Sequence, residues 1–455
     1  MIKSLHIQTF TWSPYFETSI ELAVLDSKIF NTEVFYIFVF SLNYDQGFNL
    51  KKTFSIFIKL LYLIKILKKF KIKYKIISAN IISNKKFGNF NNYEDLEKFK
   101  YKNTDISNGV MSTLNDLSTN KTYDINNNFN YYANKVLNQS IQIYDIIEKQ
   151  ILKYNPDCIT TFNTRFAATR PIYEVSIKHK IKLNTFDSPE AINKYFITEN
   201  SLFDGHDKSD RILEAWENGG AEKIEIGTKS YKNLKKVFEF SENKFDIQNF
   251  ILPNKINIIF FPSSIHETFA LGNLYKHNLF ESQNSALKYL INYSKLNENI
   301  NLIIRLHPIL KEKDIVEQKF WKDFTNHKHI KVIDYDSKIS SYDLLKYVNF
   351  CITYHSTIGI EAAYLNIKSI ILGSPWYVNL KCVYAPKSLD ELNEILKTGK
   401  INHEFNFKES LYYTYYLTMI GTEYKYIKAK TKNDVRLFGL NLNTHKDLFK
   451  NLINE

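Results

Sequence analysis

Residues 350–373 read FCITYHSTIGIEAAYLNIKSIILG, and this stretch decides the fold. Residues 350–354 form a short apolar run of the kind that fills a buried strand, and residues 369–372 form another. Between them the chain turns polar at His355-Ser356-Thr357, where a helix would begin, and Gly359 leaves its first turn uncrowded. A strand, a helix start and a second strand are the repeating unit of a parallel sheet. Strand-like runs at 255–262, 301–306 and 330–334 lead into the stretch and extend the same sheet.

The first half alternates in the same way. Strands are predicted at 4–9, 33–41, 71–78, 157–162 and 182–187, and helices at 15–28, 51–69, 131–153 and 167–180. At 455 residues the chain exceeds what one hydrophobic core usually organises. The reading is an α/β protein with two Rossmann-like doubly wound domains, at 1–240 and 250–400, facing each other across a cleft. A charged linker is expected at 231–253 and helices packing back on the core at 401–455, where Tyr412, Tyr413, Tyr415 and Tyr416 cluster. Residues 80–128, rich in Asn, Lys, Asp and Ser, are expected to form an irregular insertion.

Composition narrows the function classes. The formal net charge is +12, yet only five of the basic residues are arginines (165, 170, 211, 305 and 436) and lysine is scattered along the whole chain. Scatter of that kind, with no aromatic RNP box and no zinc-finger spacing, argues against nucleic acid as a partner. Residues 54–67 come nearest to a membrane span, but Lys59 and Lys65 interrupt them. The N-terminal residues lack a long apolar signal region, so the expectation is a cytoplasmic protein. Residues 51–75 carry nine lysines among Ile, Leu and Phe. They fit either a helix on an anionic membrane surface or a buried helix whose lysines snorkel, and the first keeps the inner face of the cytoplasmic membrane open as a location. Cys158, Cys351 and Cys382 lie far apart in or beside apolar segments and read as reduced core cysteines.

In doubly wound sheets ligands gather beyond the carboxyl ends of the strands, so the residues there are the site candidates. Arg305 and His307 end one strand in the string RLHP, where Pro308 keeps the imidazole at the lip of the sheet. Histidine at that place can donate to a phosphate or a ribose, and Arg305 can add charge. Ser356 and Thr357 offer a helix start that favours an anion, with Glu361 one turn on as an acceptor for ribose hydroxyls. Ser263, Ser264 and Ser341 are further hydroxyl candidates, although hydroxyl pairs at helix starts are usually caps.

In the first half Ser13 follows the first strand and Arg165 the fourth. Asp187 ends the fifth strand and Glu190 follows it. Either carboxylate could take a proton from a hydroxyl or stabilise a cationic carbon. His206 with Asp204 and Asp207 is a rival cluster whose spacing matches no standard metal site.

The strings SSIHETFAL, ESQNSALKYL, RLHP, SSYDLLKYV, TYHSTIGIEAAYLNIKSIILG and VYAPKSLDELNEIL fall in an order that resembles the glycosyltransferases of capsule polysaccharide biosynthesis. TWSPYFETSIELAV and FNTRFAATRP extend the likeness into the first half. The resemblance implies a GT-B fold with the nucleotide-sugar donor in the C-terminal domain and the glycan acceptor in the N-terminal one. A His-Pro pair with a Ser/Thr pair is shared by transferases of CMP-activated acidic sugars, which would give His307, Ser356 and Thr357 the donor phosphate and ribose. Ser13 and Arg165 would then face the acceptor, and Asp187 or Glu190 would be catalytic. Neither metal nor cofactor is expected, because protein donors can stabilise the leaving group, and the nucleotide-sugar is a substrate. Thr164 replaces a Gly and His266 an acidic residue of the pattern, and both departures bear on sugar or acceptor identity. Three other readings share much of the pattern: a CDP-polyol phosphotransferase of the teichoic-acid type, a nucleotide-sugar epimerase, and a non-catalytic membrane-surface protein of polysaccharide assembly.

Overall fold

The structure is a computed structural model, and it describes residues 2–29, 32–40, 50–79, 85–118, 124–125, 127–189, 193–200, 202, 204–240, 247–263, 279–307, 321, 330–431 and 434–442. Its elements in chain order begin with β1 (Lys3–Gln8), α1 (Tyr15–Ile29), β2 (Glu33–Phe40), α2 (Leu50–Lys69), β3 (Lys73–Ser78), α3 (Tyr93–Glu97), α4 (Ile106–Ser118) and α5 (Phe129–Tyr154). They continue with β4 (Cys158–Phe162), α6 (Arg170–Lys178), β5 (Lys182–Asp187), β6 (Lys194–Glu199), α7 (Gly205–Glu217), α8 (Lys223–Phe240), β7 (Ile256–Phe261), α9 (Gln283–Leu296), β8 (Ile300–Arg305) and β9 (Ile330–Ile333). Last come α10 (Ser341–Leu345), β10 (Phe350–Thr353), α11 (Ile358–Tyr364), β11 (Ser369–Ile371), α12 (Leu389–Thr398), α13 (Ser410–Met419), β12 (Thr422–Glu423), β13 (Ile427–Thr431), β14 (Asp434–Leu437) and β15 (Leu440–Asn441).

These elements form two compact units: Met1–Leu202 with Ile420–Glu455, and Phe203–Met419. In the first, the sheet order is β12-β6-β5-β4-β1-β2-β3. The five strands β3-β2-β1-β4-β5 are parallel, and β6 and β12 close that edge antiparallel. In the second unit a parallel sheet runs β11-β10-β7-β8-β9. Each sheet starts in its middle and winds outward both ways, which makes a doubly wound α/β fold twice over. The winding reverses between β1 and β4 in one sheet and between β7 and β10 in the other, and those are the places where such sheets bind ligands.

The alternation of apolar residues explains the burial of the second sheet on both faces. Ile258, Phe260, Leu302, Ile304 and Ile352 belong to one buried cluster, while their neighbours Ile259, Phe261, Ile303 and Cys351 belong to another. Side chains point alternately to opposite faces, so a continuous apolar run serves two cores. In the first unit, Ile58, Tyr62, Leu63, Ile66 and Leu67 of α2 are buried with β2 and α1. The i, i+4, i+5, i+8, i+9 spacing of these residues puts them on one helix face. The apolar stripe of the lysine-rich helix is therefore core. Among the described residues no helix is long and apolar enough to cross a membrane.

The structure corrects three expectations. Residues 80–128 contain α3 and α4, and α4 buries Ile106, Val110, Met111 and Leu114 together with Ser107, Asn108, Ser112 and Asn115. The small polar residues lie within the packed faces and hide the helical stripe from a composition count. The linker expected from 231 is α8 as far as Phe240, anchored by Tyr231, whose ring stacks on Tyr364 at 4.1 Å. Among the described residues of 401–455, the helical part ends at Met419. α13 belongs to the second unit, and residues from 422 form β12 to β15 in the first, where Ile427, Val435, Leu437 and Leu442 join the core of α1 and α2.

Candidate active site

In the second unit one cavity of about 400 Å³ opens at the carboxyl ends of the strands. Its walls carry Pro262 after β7, Arg305 and His307 at the end of β8, Ser340, Ser341 and Tyr342 before and in α10, and Ser356, Thr357 and Glu361 after β10. The volume lies in the range of small-molecule sites. Six of the residues predicted for the donor share this space: Arg305, His307, Ser341, Ser356, Thr357 and Glu361. His307 is exposed at the lip.

Arg305 does something different from what its place in the sequence implies. Its side chain is buried, and its guanidinium donates to the backbone carbonyls of Asp334, Ser337 (3.1 Å) and Ile339 (3.2 Å). Burial lowers its pKa, opposed by Asp334 and Asp336. Removing a guanidinium from water is costly unless it is hydrogen-bonded, and these carbonyls supply the partners. Arg305 thereby fixes the loop that delivers Ser340, Ser341 and Tyr342.

Ser340 caps α10, accepting from the N–H of Tyr342 at 3.2 Å, so Ser341 is not the cap that its position allowed. Tyr342 then donates its hydroxyl to Oε2 of Glu361 at 3.1 Å. Burial raises the Glu361 carboxyl above its ordinary value, while hydrogen bonds from Tyr342 and Thr357 oppose the rise. Burial raises Tyr342 in turn, and the charge of Glu361 adds to it. Thr357 occupies the N-cap of α11 without making a side-chain cap bond. Its hydroxyl goes to Glu361 instead.

Ser356 is held through its backbone. Its N–H donates to Oγ1 of Thr353 at 3.1 Å, its carbonyl accepts from the hydroxyl of Tyr377, and Thr353 donates to the carbonyl of Phe261 at 3.0 Å. Gly359 is required by packing: a Cβ there would lie 2.7 Å from the Tyr377 hydroxyl and 2.8 Å from Cγ2 of Thr353. Ser263 is clamped by Gln283, which accepts from its N–H at 2.8 Å and donates to its carbonyl at 2.9 Å. The Ser263 hydroxyl is buried without a hydrogen bond, and Ser263 is not among the cavity residues. Ser264 lies outside the described residues. Tyr342, Tyr377 and Gln283 escaped the sequence reading because each acts on a residue distant in the chain, and Thr353 because its hydroxyl ties Ser356 to Phe261 of another strand.

In the first unit the predicted residues gather where the winding reverses. Asn163, in a left-handed conformation with φ of 22°, donates to Oδ2 of Asp187 at 3.0 Å and accepts from the N–H of Arg165 at 2.9 Å. The other oxygen of Asp187 accepts from Ser188 N–H at 2.8 Å. Asp187 and burial together push the Tyr15 hydroxyl up to about 12, burial being the larger cause. The Arg165 guanidinium lies 4.8 Å over Phe166 and reaches Asp116 at 3.5 Å. Ser13 donates to Oε1 of Glu17 at 2.5 Å. Glu190 lies outside the described residues.

The rival cluster is structural. Asp204 caps α7, Asp207 pairs with Arg211 at 2.8 Å, and Nδ1 of His206 meets Oδ1 of Asn379 at 2.8 Å. Among the described residues no group of His, Cys, Asp or Glu is placed to hold a metal ion.

Residues 221–389, which contain every wall of the cavity, match the family model described as capsule polysaccharide biosynthesis protein. Over this segment, which is less than half of the chain, the sequence is similar to that family. Two solved structures illustrate its looser likenesses. The beta Kdo 2,7 transferase KpsC of Thermosulfurimonas dismutans is 11% identical, with a TM-score of 0.35 over 59% of this chain and 79% of that one. A UDP-GlcNAc 2-epimerase of Methanocaldococcus jannaschii, in complex with UDP-GlcNAc and UDP, is 14% identical, with a TM-score of 0.30 over 92% and 99%. No reading of function rests on superpositions this loose, and the fold stands on the sheet orders of the chain itself. No curated protein matches the sequence.

Proposed function

We propose that this chain is a glycosyltransferase that moves a sugar from a nucleotide donor, a CMP-sugar being favoured, to a growing capsular or other surface glycan. The observation that supports it is the cavity at the carboxyl ends of the second unit's strands, where His307, Ser341, Ser356, Thr357 and Glu361 converge. His307 takes the donor phosphate, and the hydroxyls of Ser341, Ser356 and Thr357 line its path. Glu361, oriented by Tyr342, accepts from the ribose. Donors fixed before the reaction stabilise a leaving phosphate at little cost in reorganisation. Transfer should accordingly persist in EDTA.

The acceptor belongs to the first unit, beside Ser13 and Arg165. Asp187, fixed by Asn163 and by the N–H of Ser188, supplies a negative charge for the cationic sugar carbon of the transition state. Nucleotide sugars are cytoplasmic metabolites, so the enzyme would act on the cytoplasmic face of the membrane.

The test is a thermal-shift panel against CMP, CDP, UDP and GDP followed by a transfer assay, because a ligand that binds only the folded state raises its melting temperature. The expected result is a shift with CMP that His307→Ala removes, together with a loss of transfer of about 10²-fold or more in that variant. A shift with UDP or GDP alone would overturn the CMP assignment. No shift with any nucleotide, or undiminished transfer by His307→Ala, would overturn the site.

A further inference from the structure

A buried carboxylate stands directly beneath the loop that follows β1. Glu17, in the first turn of α1, is 0% exposed, yet its Oε2 has no hydrogen-bond partner. Its other oxygen accepts from the hydroxyl of Ser13, and Ser13 is only half-buried. Ser13 therefore reaches from the surface, at the point where the sheet's winding reverses, to a carboxylate sealed beneath it. Buried acceptors are nearly always satisfied, so a carboxylate with a vacant oxygen calls for an explanation.

The surroundings preserve this arrangement. Lys59 of α2 is buried and donates to the carbonyl of Thr11 at 2.8 Å, which pins the loop carrying Ser13. The N–H and the hydroxyl of Thr18 both donate to the carbonyl of Pro14 at 2.9 Å and fix the start of α1. The titratable groups around Glu17 are Lys59, Tyr424, whose hydroxyl meets Thr18 at 2.8 Å, and Glu21 one turn further on. Burial raises the Glu17 carboxyl above its ordinary range, while Ser13 and Lys59 oppose the rise. The Lys59 ammonium is lowered by its own burial, opposed by Glu17.

We propose that Ser13 and Glu17 form the relay that removes the proton from the acceptor hydroxyl, an inference that rests on the glycosyl-transfer reading. The acceptor O–H gives its proton to Oγ of Ser13 while Ser13 passes its own proton to Oε1 of Glu17. The acceptor oxygen forms its bond to the anomeric carbon as the bond from that carbon to the phosphate oxygen breaks, and the nucleotide phosphate leaves with the electron pair. Ser13 is unchanged and Glu17 ends neutral. Asp187 is ill suited to the task, because donors already hold both of its oxygens. Oε1 of Glu17 already lies in line with the Ser13 hydroxyl, and a buried carboxylate with a raised pKa is the better proton acceptor.

The experiment measures kcat, KM and the pH profile of transfer for the full chain and for Ser13→Ala, Ser13→Thr and Glu17→Gln, with the nucleotide-induced thermal shift as the check on folding. Ser13→Ala should lower kcat by about 10²–10⁴-fold with the donor KM unchanged. Ser13→Thr, which restores a hydroxyl, should recover most of the loss. Glu17→Gln should lose activity and also the acid limb, the rise of kcat/KM with pH as the carboxylate ionises. If Glu17→Gln does not fold, the Ser13 pair decides. A wild type that transfers sugar while Ser13→Ala matches its kcat overturns the relay alone. A wild type that transfers nothing overturns the glycosyl-transfer reading and the relay with it.

Discussion

The hydroxyl of Tyr342 donates to Oε2 of Glu361 at 3.1 Å, tying the first turn of α10 to the first turn of α11 across the cavity. The bond holds a half-buried carboxylate in one orientation, with Thr357 as its second donor. If Glu361 accepts from the ribose, Tyr342→Phe should weaken nucleotide binding by about 10-fold, the size of one hydrogen bond to a charged group. Glu361→Gln should weaken it at least as much. Because the two residues act as a unit, the double variant should lose less than the sum of the single losses. Calorimetric titration of all four proteins is the measurement, and strictly additive losses would dissolve the pair.

The same carboxyl gives a pH dependence of stability. Burial raises Glu361 above its ordinary 4.5 in the folded state. A raised acid contributes stability that is fully present below the unfolded value and is lost as pH rises through the folded one. Glu361→Gln has no such loss. The melting temperature of the variant relative to wild type should therefore climb between pH 4 and pH 8. A difference that stays flat across this range would mean that Glu361 does not titrate differently in the folded protein.

Packing beneath the site gives a third expectation. A Cβ on Gly359 would meet the Tyr377 hydroxyl, Cγ2 of Thr353 and, at 3.0 Å, Cδ1 of Ile371. Gly359→Ala should cost about 1–3 kcal/mol by overpacking, despite a gain of up to about 1 kcal/mol in helix propensity. Displacement of Tyr377 also frees the carbonyl of Ser356, so nucleotide affinity should fall with the melting temperature. Combining Gly359→Ala with Tyr377→Phe removes the nearest clashing atom and should recover part of the stability. Denaturant unfolding of the three proteins checks this, and no recovery in the double variant would place the strain elsewhere.

How much of this was legible follows from the range over which each residue acts. β7 to β11 were readable because each is a local apolar run, and the cavity residues were readable because they stand immediately after those runs. The partners of those residues were not. Tyr342 lies 19 positions from Glu361, and Arg305 bonds to carbonyls 29, 32 and 34 positions away. Only the closed sheet makes them neighbours. β6 is absent from the sequence reading for a different reason: Tyr195 is buried and Ile197 is 41% exposed, so its apolar residues do not mark a single core face. In β13 and β14 the alternation of Ile427, Val435 and Leu437 with Lys428 and Arg436 was present. The neighbouring Tyr cluster of α13 drew the whole segment into a helical reading.

Arg305 separates the two ways in which a strand-end arginine can serve a nucleotide site. One is direct charge on the phosphate, and the other is shaping of the loop that carries Ser340 to Tyr342. The bonds to Asp334, Ser337 and Ile339 occupy both terminal nitrogens, which favours shaping. Lysine keeps the charge but offers a single ammonium in place of the planar fork, so it cannot span three carbonyls. Arg305→Lys should therefore leave buried carbonyls unsatisfied and cost about 1–3 kcal/mol. For a unit of this size that is a fall in melting temperature of about 2–4 °C per kcal/mol. Nucleotide affinity should fall in the same variant because Ser341 and Tyr342 lose their fixed positions. Calorimetric unfolding alongside nucleotide titration tells the two roles apart: a direct phosphate contact would lower affinity while leaving stability in place, whereas a loop anchor must lower both together.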